Sequence, residues 1–187
     1  MRLTDIAHNY LSAQLQTGDH AIDATAGNGH DTVHMASLVG PEGRVIAIDI
    51  QEAAIRATRS RLKAYGCLDQ VQLLTGEHSR ILQSLCPTHA QTIHSITFNL
   101  GYLPGSDKRI QTDPETTLSA LDASQQLLKP KGLLLVTAYR GHEGGQNEAE
   151  QVAQWMQTVQ AKGWSVKAHD PEIKGNKTPP ILWVAQR

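Results

Sequence analysis

The chain has little cysteine and no excess of either charge. Its 187 residues include two cysteines, Cys67 and Cys86, and these are not arranged as a Cys-x-x-Cys pair. Neither a disulfide framework nor a thiolate zinc site is indicated. Seventeen Lys and Arg residues stand against 18 Asp and Glu, so the formal net charge is -1. Without a global basic field to attract nucleic acid, any contact with RNA depends on local basic loops.

Long apolar runs are also missing. No run approaches the roughly 18 residues of a membrane span, and the first residues lack the apolar core of a secretion signal. Together with the low cysteine content, this predicts a cytoplasmic protein. Hydrophobic residues make up 40% of the chain and charged residues 19%, which excludes disordered, collagen-like and coiled-coil classes. The length predicts a single domain over residues 1–187 with a sizeable core.

Short β-rich runs alternate with helical segments along most of the chain. A leading helix is predicted over residues 4–16, where apolar residues recur at helical spacing. Five β-then-α units follow it, with strands at 21–25, 44–50, 71–75, 94–100 and 132–139 and helices at 31–39, 52–65, 79–85, 116–128 and 147–161. Repeated units of this kind predict a parallel sheet with helices on both faces.

The last part of the chain breaks this alternation. Residues 164–174 and 181–186 form two consecutive β-rich runs with no helical segment between them. They predict an antiparallel hairpin at the sheet edge. The expected fold is therefore α/β and Rossmann-like, with a seven-stranded, mostly parallel sheet that ends in an antiparallel strand.

A glycine-rich turn follows the first predicted strand. Gly27 and Gly29 permit a tight turn and a close backbone approach just before a helix, whose free N–H groups can hold a ligand. The second strand ends in Asp49, at the distance where an acidic side chain accepts the hydroxyls of a ribose. These features predict a nucleoside-containing cofactor. Thr32 occupies the third glycine position of the dinucleotide fingerprint, which disfavours NAD.

A polar amide followed by an aromatic residue comes after the fourth strand. Asn99-Leu-Gly-Tyr102-Leu-Pro104 resembles the Asn-Pro-Pro-Tyr element of class I S-adenosylmethionine-dependent amino-methyltransferases. In that element the Asn side chain holds the target amine and the aromatic ring packs on the substrate. The resemblance implies these roles for Asn99 and Tyr102.

Four longer motifs make the resemblance specific. They are Asp23-Ala-Thr-Ala-Gly-Asn-Gly-His-Asp-Thr32, Asp49-Ile-Gln51, Phe98-Asn-Leu-Gly-Tyr-Leu-Pro-Gly-Ser-Asp-Lys108 and Tyr139-Arg-Gly-His-Glu-Gly-Gly145. In these motifs, and over nearly its whole length, the chain is similar to the MnmM (YtqB-like) family of class I methyltransferases, long labelled rRNA methylases. The resemblance implies N-methylation of 5-aminomethyl(-2-thio)uridine at the tRNA wobble position, with the anticodon loop as partner.

The resemblance also implies a set of residues for S-adenosylmethionine. The loop after the first strand would hold the methionine moiety, Asp49 the ribose, and Glu77 with His78 the adenine edge. The full expected set is Asp23, Gly27, Asn28, Gly29, Asp31, Thr32, Asp49, Gln51, Glu77, His78 and Asn99.

The acceptor amine raises a question of proton transfer. An alkylamine has an ordinary pKa of about 10.4, so it arrives protonated and without a lone pair at neutral pH. Asn99 can accept a hydrogen bond from the neutral amine, and His142 and Asp107 are both candidate proton acceptors. Tyr102 and His142 are expected to contact the substrate. Lys108 and Arg109 are expected to meet phosphates, since they lie in a predicted long loop over residues 101–115.

Several alternatives stay open at this stage. The acceptor could be rRNA or a small-molecule amine, and a nicotinamide oxidoreductase is disfavoured by Thr32. A homodimer is considered because a 187-residue chain offers a small surface to a stem-loop. No metal is proposed, and surface or core positions are expected for the histidines without metal-ligand spacing: His8, His20, His34, His89, His94 and His169.

Overall fold

In the computed structural model, residues 2–103, 105, 110–171 and 178–187 are described. Helices and strands alternate through these residues. The helices are α1 (Leu3–Gln14), α2 (His30–Val39), α3 (Glu52–Ala64), α4 (His78–His89), α5 (Pro114–Leu127) and α6 (Gly145–Ala161). The strands are β1 (His20–Asp23), β2 (Arg44–Asp49), β3 (Val71–Thr75), β4 (Ile93–Leu100), β5 (Leu128–Ala138), β6 (Ser165–His169) and β7 (Ile181–Gln186).

All seven strands belong to one sheet, in the order β3-β2-β1-β4-β5-β7-β6. The strands from β3 to β5 pair in parallel, and β7 pairs antiparallel with both β5 and β6. The predicted fold class and the closing hairpin are therefore confirmed, with β7 placed between β5 and the edge strand β6. The strand order reverses between β1 and β4, and α/β sheets bind ligands at such a point, beyond the carboxyl ends of the strands.

Each face of the sheet has its own apolar core. Leu11 of α1, Met35 of α2 and Leu62 of α3 pack on one face. Residues of α4, α5 and α6 pack on the other face around the inward side chains of the central strands, among them Leu82, Leu121, Val152, Ile22 and Phe98. Apolar burial on both faces explains why the central strands are almost continuously hydrophobic. Among the described helices, none is both long and apolar enough to cross a membrane.

Some element boundaries differ from those predicted. The predicted loop over residues 101–115 ends earlier, because the Asp113 carboxylate accepts hydrogen bonds from the N–H groups of Glu115 and Thr116 and caps α5. Within the described part of this loop, Tyr102 and Gln111 form an antiparallel bridge. Strand β6 ends at His169 rather than at residue 174. Strand β5 begins at Leu128, directly after α5, instead of at residue 132.

One buried carboxyl group joins α6, α5 and the chain that follows β4. Glu148 is 2% exposed and accepts hydrogen bonds from the hydroxyls of Thr117, at 2.6 Å, and Thr112, at 2.8 Å. Thr112 in turn accepts a hydrogen bond from the N–H of Gly101 at 2.8 Å. Burial raises the pKa of Glu148, although the two hydroxyl donors act in the opposite direction.

The raised pKa makes the contribution of Glu148 to stability dependent on pH. Because its folded-state pKa lies above the ordinary value of 4.5, the contribution is largest below that value and is lost as the pH rises through the folded-state pKa. Chemical denaturation of the wild type and of Glu148→Gln, at about pH 4 and about pH 8, should show a smaller advantage of the wild type at the higher pH.

Glu150→Gln, an exposed position on the same helix, is the matched control and should show no such trend. A wild-type advantage that grows with pH would mean that Glu148 is ionised in the folded protein, and the burial argument would then be wrong.

Candidate active site

Two adjoining cavities open at the carboxyl ends of the strands. The smaller, of about 150 Å³, extends towards the ends of β2 and β3 and is lined by Asp49, Gln51 and His78. The larger, of about 600 Å³, extends towards α2 and the end of β5. Both are lined by the same five residues, which are Thr25, Gly27, Asn99, Gly101 and Tyr102. A group bound in one cavity can therefore meet a group bound in the other beside Asn99.

Helix α3 supports the glycine turn that forms the shared wall. Gly29 has a φ of +79°, and a Cβ added to it would lie 2.8 Å from the Cα of Thr58. The Thr58 hydroxyl donates to the carbonyl oxygen of Gly27 at 3.1 Å, and Arg61 Nε donates to that of Asn28 at 2.7 Å. Only glycine satisfies both the left-handed backbone and the close approach at position 29. The role of α3 could not be predicted, because Thr58 and Arg61 lie about thirty residues from the turn in sequence.

Asp23 and Thr32 lie beneath the turn, not in a cavity. Both are fully buried, and the Thr32 hydroxyl donates to Asp23 Oδ2 at 2.5 Å. Burial and the nearby Asp31 carboxylate raise the pKa of Asp23 to about 7. Neither residue lines either cavity, so the structure gives these two predicted cofactor residues a supporting position. The bond to Asp23 also explains the side chain at position 32, since glycine has no hydroxyl to donate.

Asp49 borders the smaller cavity and also holds its wall. Its Oδ2 accepts from the N–H of Gly27 at 2.9 Å, and its Oδ1 accepts from the N–H of Gln51 at 2.8 Å. Burial raises its pKa, and the two N–H donors counteract this. Each carboxylate oxygen has a second lone pair that can accept from a hydroxyl. The predicted position at a ribose is therefore compatible with the geometry.

Glu77 and His78, for which the resemblance implies contact with the adenine edge, both line the smaller cavity. His78 is 8% exposed, and its ring meets the Phe98 ring edge to face, with centroids 5.8 Å apart. Burial lowers the pKa of His78, so the ring is neutral at neutral pH. Its Nε2 is buried without a hydrogen-bond partner among the described residues. A buried polar atom of this kind at a cavity wall is a candidate ligand contact.

Asn99 is half-buried at the junction of the cavities, and two hydrogen bonds orient it. Its backbone N–H donates to the Thr25 hydroxyl at 2.6 Å, and its side-chain Nδ2 donates to Asp31 Oδ2 at 2.7 Å. Burial disfavours ionisation of Asp31, but hydrogen bonds from His8 and Asn99 outweigh it and lower the Asp31 pKa. The amide therefore faces a carboxylate with its NH₂ group, which leaves its carbonyl oxygen to accept from a ligand.

Tyr102 and His142 lie together at the larger cavity. Their rings pack edge to face with centroids 5.6 Å apart. His142 Nδ1 lies 2.9 Å from the carbonyl oxygen of Glu143, whereas its Nε2 is buried and has no hydrogen-bond partner among the described residues. The structure thus brings Tyr102 and His142 together with Asn99 at one cavity.

The other predicted residues are the three charged residues of the loop after β4 and the histidines. Asp107, Lys108 and Arg109 lie outside the described residues. Of the histidines expected at surface or core positions, His8 is half-buried and also contacts the site, with its Nε2 2.7 Å from Asp31 Oδ1. No sequence signal pointed to this contact, because α1 carries His8 and lies far from the motifs in sequence. No group of three metal-ligating side chains is found in the described part of the chain.

Comparison with known proteins matches a family model described as "Putative rRNA methylase" over residues 45–186. The chain belongs to this family. The "putative rRNA-methylase" of Clostridium thermocellum is 35% identical, with a TM-score of 0.91, and the alignment covers 100% of this chain and 97% of that one. A family resemblance expected from the motifs is thereby confirmed. The residues that form the glycine turn lie before the matched range.

Two further relatives carry more specific descriptions. A "putative methyltransferase" of Streptococcus mutans, crystallised in complex with S-adenosylhomocysteine (SAH), is 31% identical, with a TM-score of 0.84, over 100% of this chain and 98% of that one. A chloroplastic "tRNA (mnm(5)s(2)U34)-methyltransferase" of Arabidopsis thaliana is 40% identical over 171 residues, which are 87% of this chain. The match spans 62% of that plant protein's own length.

The close contact between Gly29 and α3 gives a test of the glycine turn. In Gly29→Ala the new methyl group meets the Thr58 backbone and the residue must adopt a left-handed conformation, which alone costs about 1 kcal/mol. We expect a lower melting temperature and at least about tenfold weaker binding of SAH in calorimetry.

Gly18→Ala is the matched control. Gly18 also has a positive φ, of +91°, but a Cβ there would have no atom within 4 Å, so it adds backbone strain without a clash. Equal losses of SAH affinity in both variants would contradict the proposed role of the contact with α3.

Proposed function

We propose that this protein is an S-adenosylmethionine-dependent tRNA methyltransferase. The methyl group would pass to the amine of 5-aminomethyl(-2-thio)uridine at the wobble position, giving 5-methylaminomethyl(-2-thio)uridine. The observation that carries the proposal is the position of Asn99, whose amide is oriented by Asp31 at the junction of two cavities. The Arabidopsis relative supports the choice of substrate.

The smaller cavity suits the adenosine part of the cofactor. Asp49 can accept from ribose hydroxyls, and the buried Nε2 of His78, beside Glu77, can meet the edge of adenine. The backbone of Gly27, Asn28 and Gly29 would hold the methionine part at the start of α2, where free N–H groups favour a carboxylate. When bound, S-adenosylmethionine supplies an electrophilic methyl group on its sulfonium. The relative crystallised with SAH supports this cofactor.

The larger cavity suits the acceptor amine. Asn99 Oδ1 accepts a hydrogen bond from the neutral amine and directs its lone pair to the shared wall, so the protein acts mainly by alignment. As the new N–C bond forms, the S–C bond breaks and its electron pair remains on sulfur, and the amine nitrogen releases a proton. His142, which lines the larger cavity, is one proposed acceptor of that proton. Asp107 stays a second proposed acceptor.

The partner in this proposal is a tRNA anticodon loop. A wobble base is unstacked at the tip of a loop, so it can enter the larger cavity without breaking a duplex. Tyr102 and Tyr139 both line that cavity, and Tyr139 is 45% exposed, so each ring can stack on a base. Contacts of Lys108 and Arg109 with phosphates, a homodimer that widens the RNA-binding surface, and a cytoplasmic location remain parts of the proposal.

A second candidate is methylation of rRNA or of a small-molecule amine with the same cofactor. The net charge of -1 favours a small acceptor, because it supplies no general attraction to RNA. The family description favours rRNA. These alternatives share the smaller cavity and differ in what enters the larger one.

The substrate is tested by mass analysis of nucleosides. Purified protein with isotopically labelled cofactor should convert 5-aminomethyluridine to its N-methyl form in tRNA isolated from cells that lack this protein. Ribosomal RNA and a free alkylamine are assayed in parallel. Label in rRNA or in the amine, with none in the wobble nucleoside, would refute the tRNA assignment and leave the methyltransferase assignment intact.

The role of Asn99 is tested by its truncation. Asn99→Ala removes the acceptor that orients the amine, so we expect kcat to fall about a hundredfold or more. Affinity for SAH, measured by calorimetry, should change by no more than a few fold. Asn147→Ala, an exposed position on α6, is the control and should behave as wild type. Wild-type turnover in Asn99→Ala would rule out this mechanism.

A further inference from the structure

Helix α1 reaches the candidate active site through one side chain. His8 Nε2 lies 2.7 Å from Asp31 Oδ1, while the other oxygen of the same carboxylate accepts from Asn99 Nδ2, also at 2.7 Å. His8, Asp31 and Asn99 thus form a continuous hydrogen-bonded chain from α1, across the start of α2, to the end of β4. The His8 and Asp31 side chains are 26% and 19% exposed.

The direction of each hydrogen bond in this chain follows from the carboxylate. An ionised carboxylate only accepts, so His8 must carry its proton on Nε2 and Asn99 must present its NH₂ group. If the Asn99 amide were turned over, its carbonyl oxygen would face the carboxylate, which is repulsive, and its NH₂ group would face the acceptor amine. A donor in that place competes for the lone pair that methyl transfer requires.

The His8 ring is itself held in place. It stacks on the His34 ring of α2, with centroids 4.0 Å apart and an angle of 8° between the planes. His34 Nε2 lies 3.2 Å from the Ser12 hydroxyl and 3.3 Å from the carbonyl oxygen of His8, so this one atom of α2 contacts two residues of α1. The stack sets the plane in which His8 Nε2 meets Asp31.

We propose that His8 is a positioning residue for methyl transfer. By donating from Nε2 it holds the Asp31 carboxylate, and Asp31 holds the Asn99 amide with its carbonyl oxygen towards the acceptor amine. This role rests on the proposed function, since it concerns the same amine. It assigns α1, which carries none of the sequence motifs, a part in the orientation of the nucleophile.

Three variants separate this role from a packing role. His8→Phe keeps an aromatic ring against His34 and removes the donor, so we expect kcat to fall about tenfold, with the KM for S-adenosylmethionine unchanged. His8→Gln restores an N–H donor near the position of Nε2 and should recover most of the lost turnover. Ser12→Ala, which alters the same helix contact without touching Asp31, should match wild type.

A second measurement does not depend on the acceptor. In ¹⁵N-labelled protein saturated with SAH, the side-chain NH₂ signals of Asn99, assigned with Asn99→Ala, report its hydrogen bond to Asp31. His8→Phe should shift these signals, and Ser12→Ala should leave them in place. Unshifted Asn99 signals in His8→Phe, or turnover equal to that of Ser12→Ala, would overturn the proposal.

The two proposals can fail separately. If wild-type protein methylates no aminomethyluridine, the proposed function fails, and the NMR comparison still decides whether His8 holds Asp31 and Asn99. If wild-type protein is active but His8→Gln is as slow as His8→Phe, the donor on His8 has no part in turnover and the positioning role is refuted.

Discussion

The parallel register between β1 and β4 is the constraint on which the site depends. Asp23 of β1 lies opposite Thr97 of β4, so two residues further along each chain Thr25 comes beside Asn99. The Thr25 hydroxyl then accepts from the Asn99 N–H at 2.6 Å, and the amide side chain reaches Asp31 at the start of α2. A slip of one residue would turn Asn99 to the other face of the sheet. Since both faces of these strands are apolar, it is the close packing of individual side chains in the two cores that opposes such a slip.

Buried polar groups hold the loops around this register. Asp23 beneath the glycine turn and Glu148 beneath the chain after β4 are both almost inaccessible to solvent. A buried carboxyl group is costly unless it is hydrogen-bonded, and each of these accepts two hydrogen bonds from nearby residues. The hydrogen bonds of Asp23 fix the glycine turn, and those of Glu148 fix the chain after β4.

The shared wall between the cavities explains how a small domain can serve two ligands. The glycine turn and the end of β4 line both cavities. The Asn99 side chain can therefore contact a group bound in either cavity. Transfer between two bound groups needs their reacting atoms to be close and aligned, which lowers the entropic part of the barrier. Two helices contact groups around this wall: His8 of α1 meets Asp31, and Thr58 and Arg61 of α3 donate to the carbonyl oxygens of Gly27 and Asn28.

The sequence by itself determined the fold class, the family and the motif residues at the strand ends. Hydrophobic periodicity, the glycine spacing and the Asn99-Tyr102 element are local patterns, and local patterns can be read along a chain. Tertiary structure alone decided which of these residues face a cavity. Asp23 and Thr32 belong to the glycine motif yet lie beneath it, whereas His8, Thr58 and Glu148 lie outside every motif yet contact residues that line the cavities. Their contacts join residues 23 to 36 positions apart, and such pairs are set by how helices pack on the sheet, which no short-range pattern records.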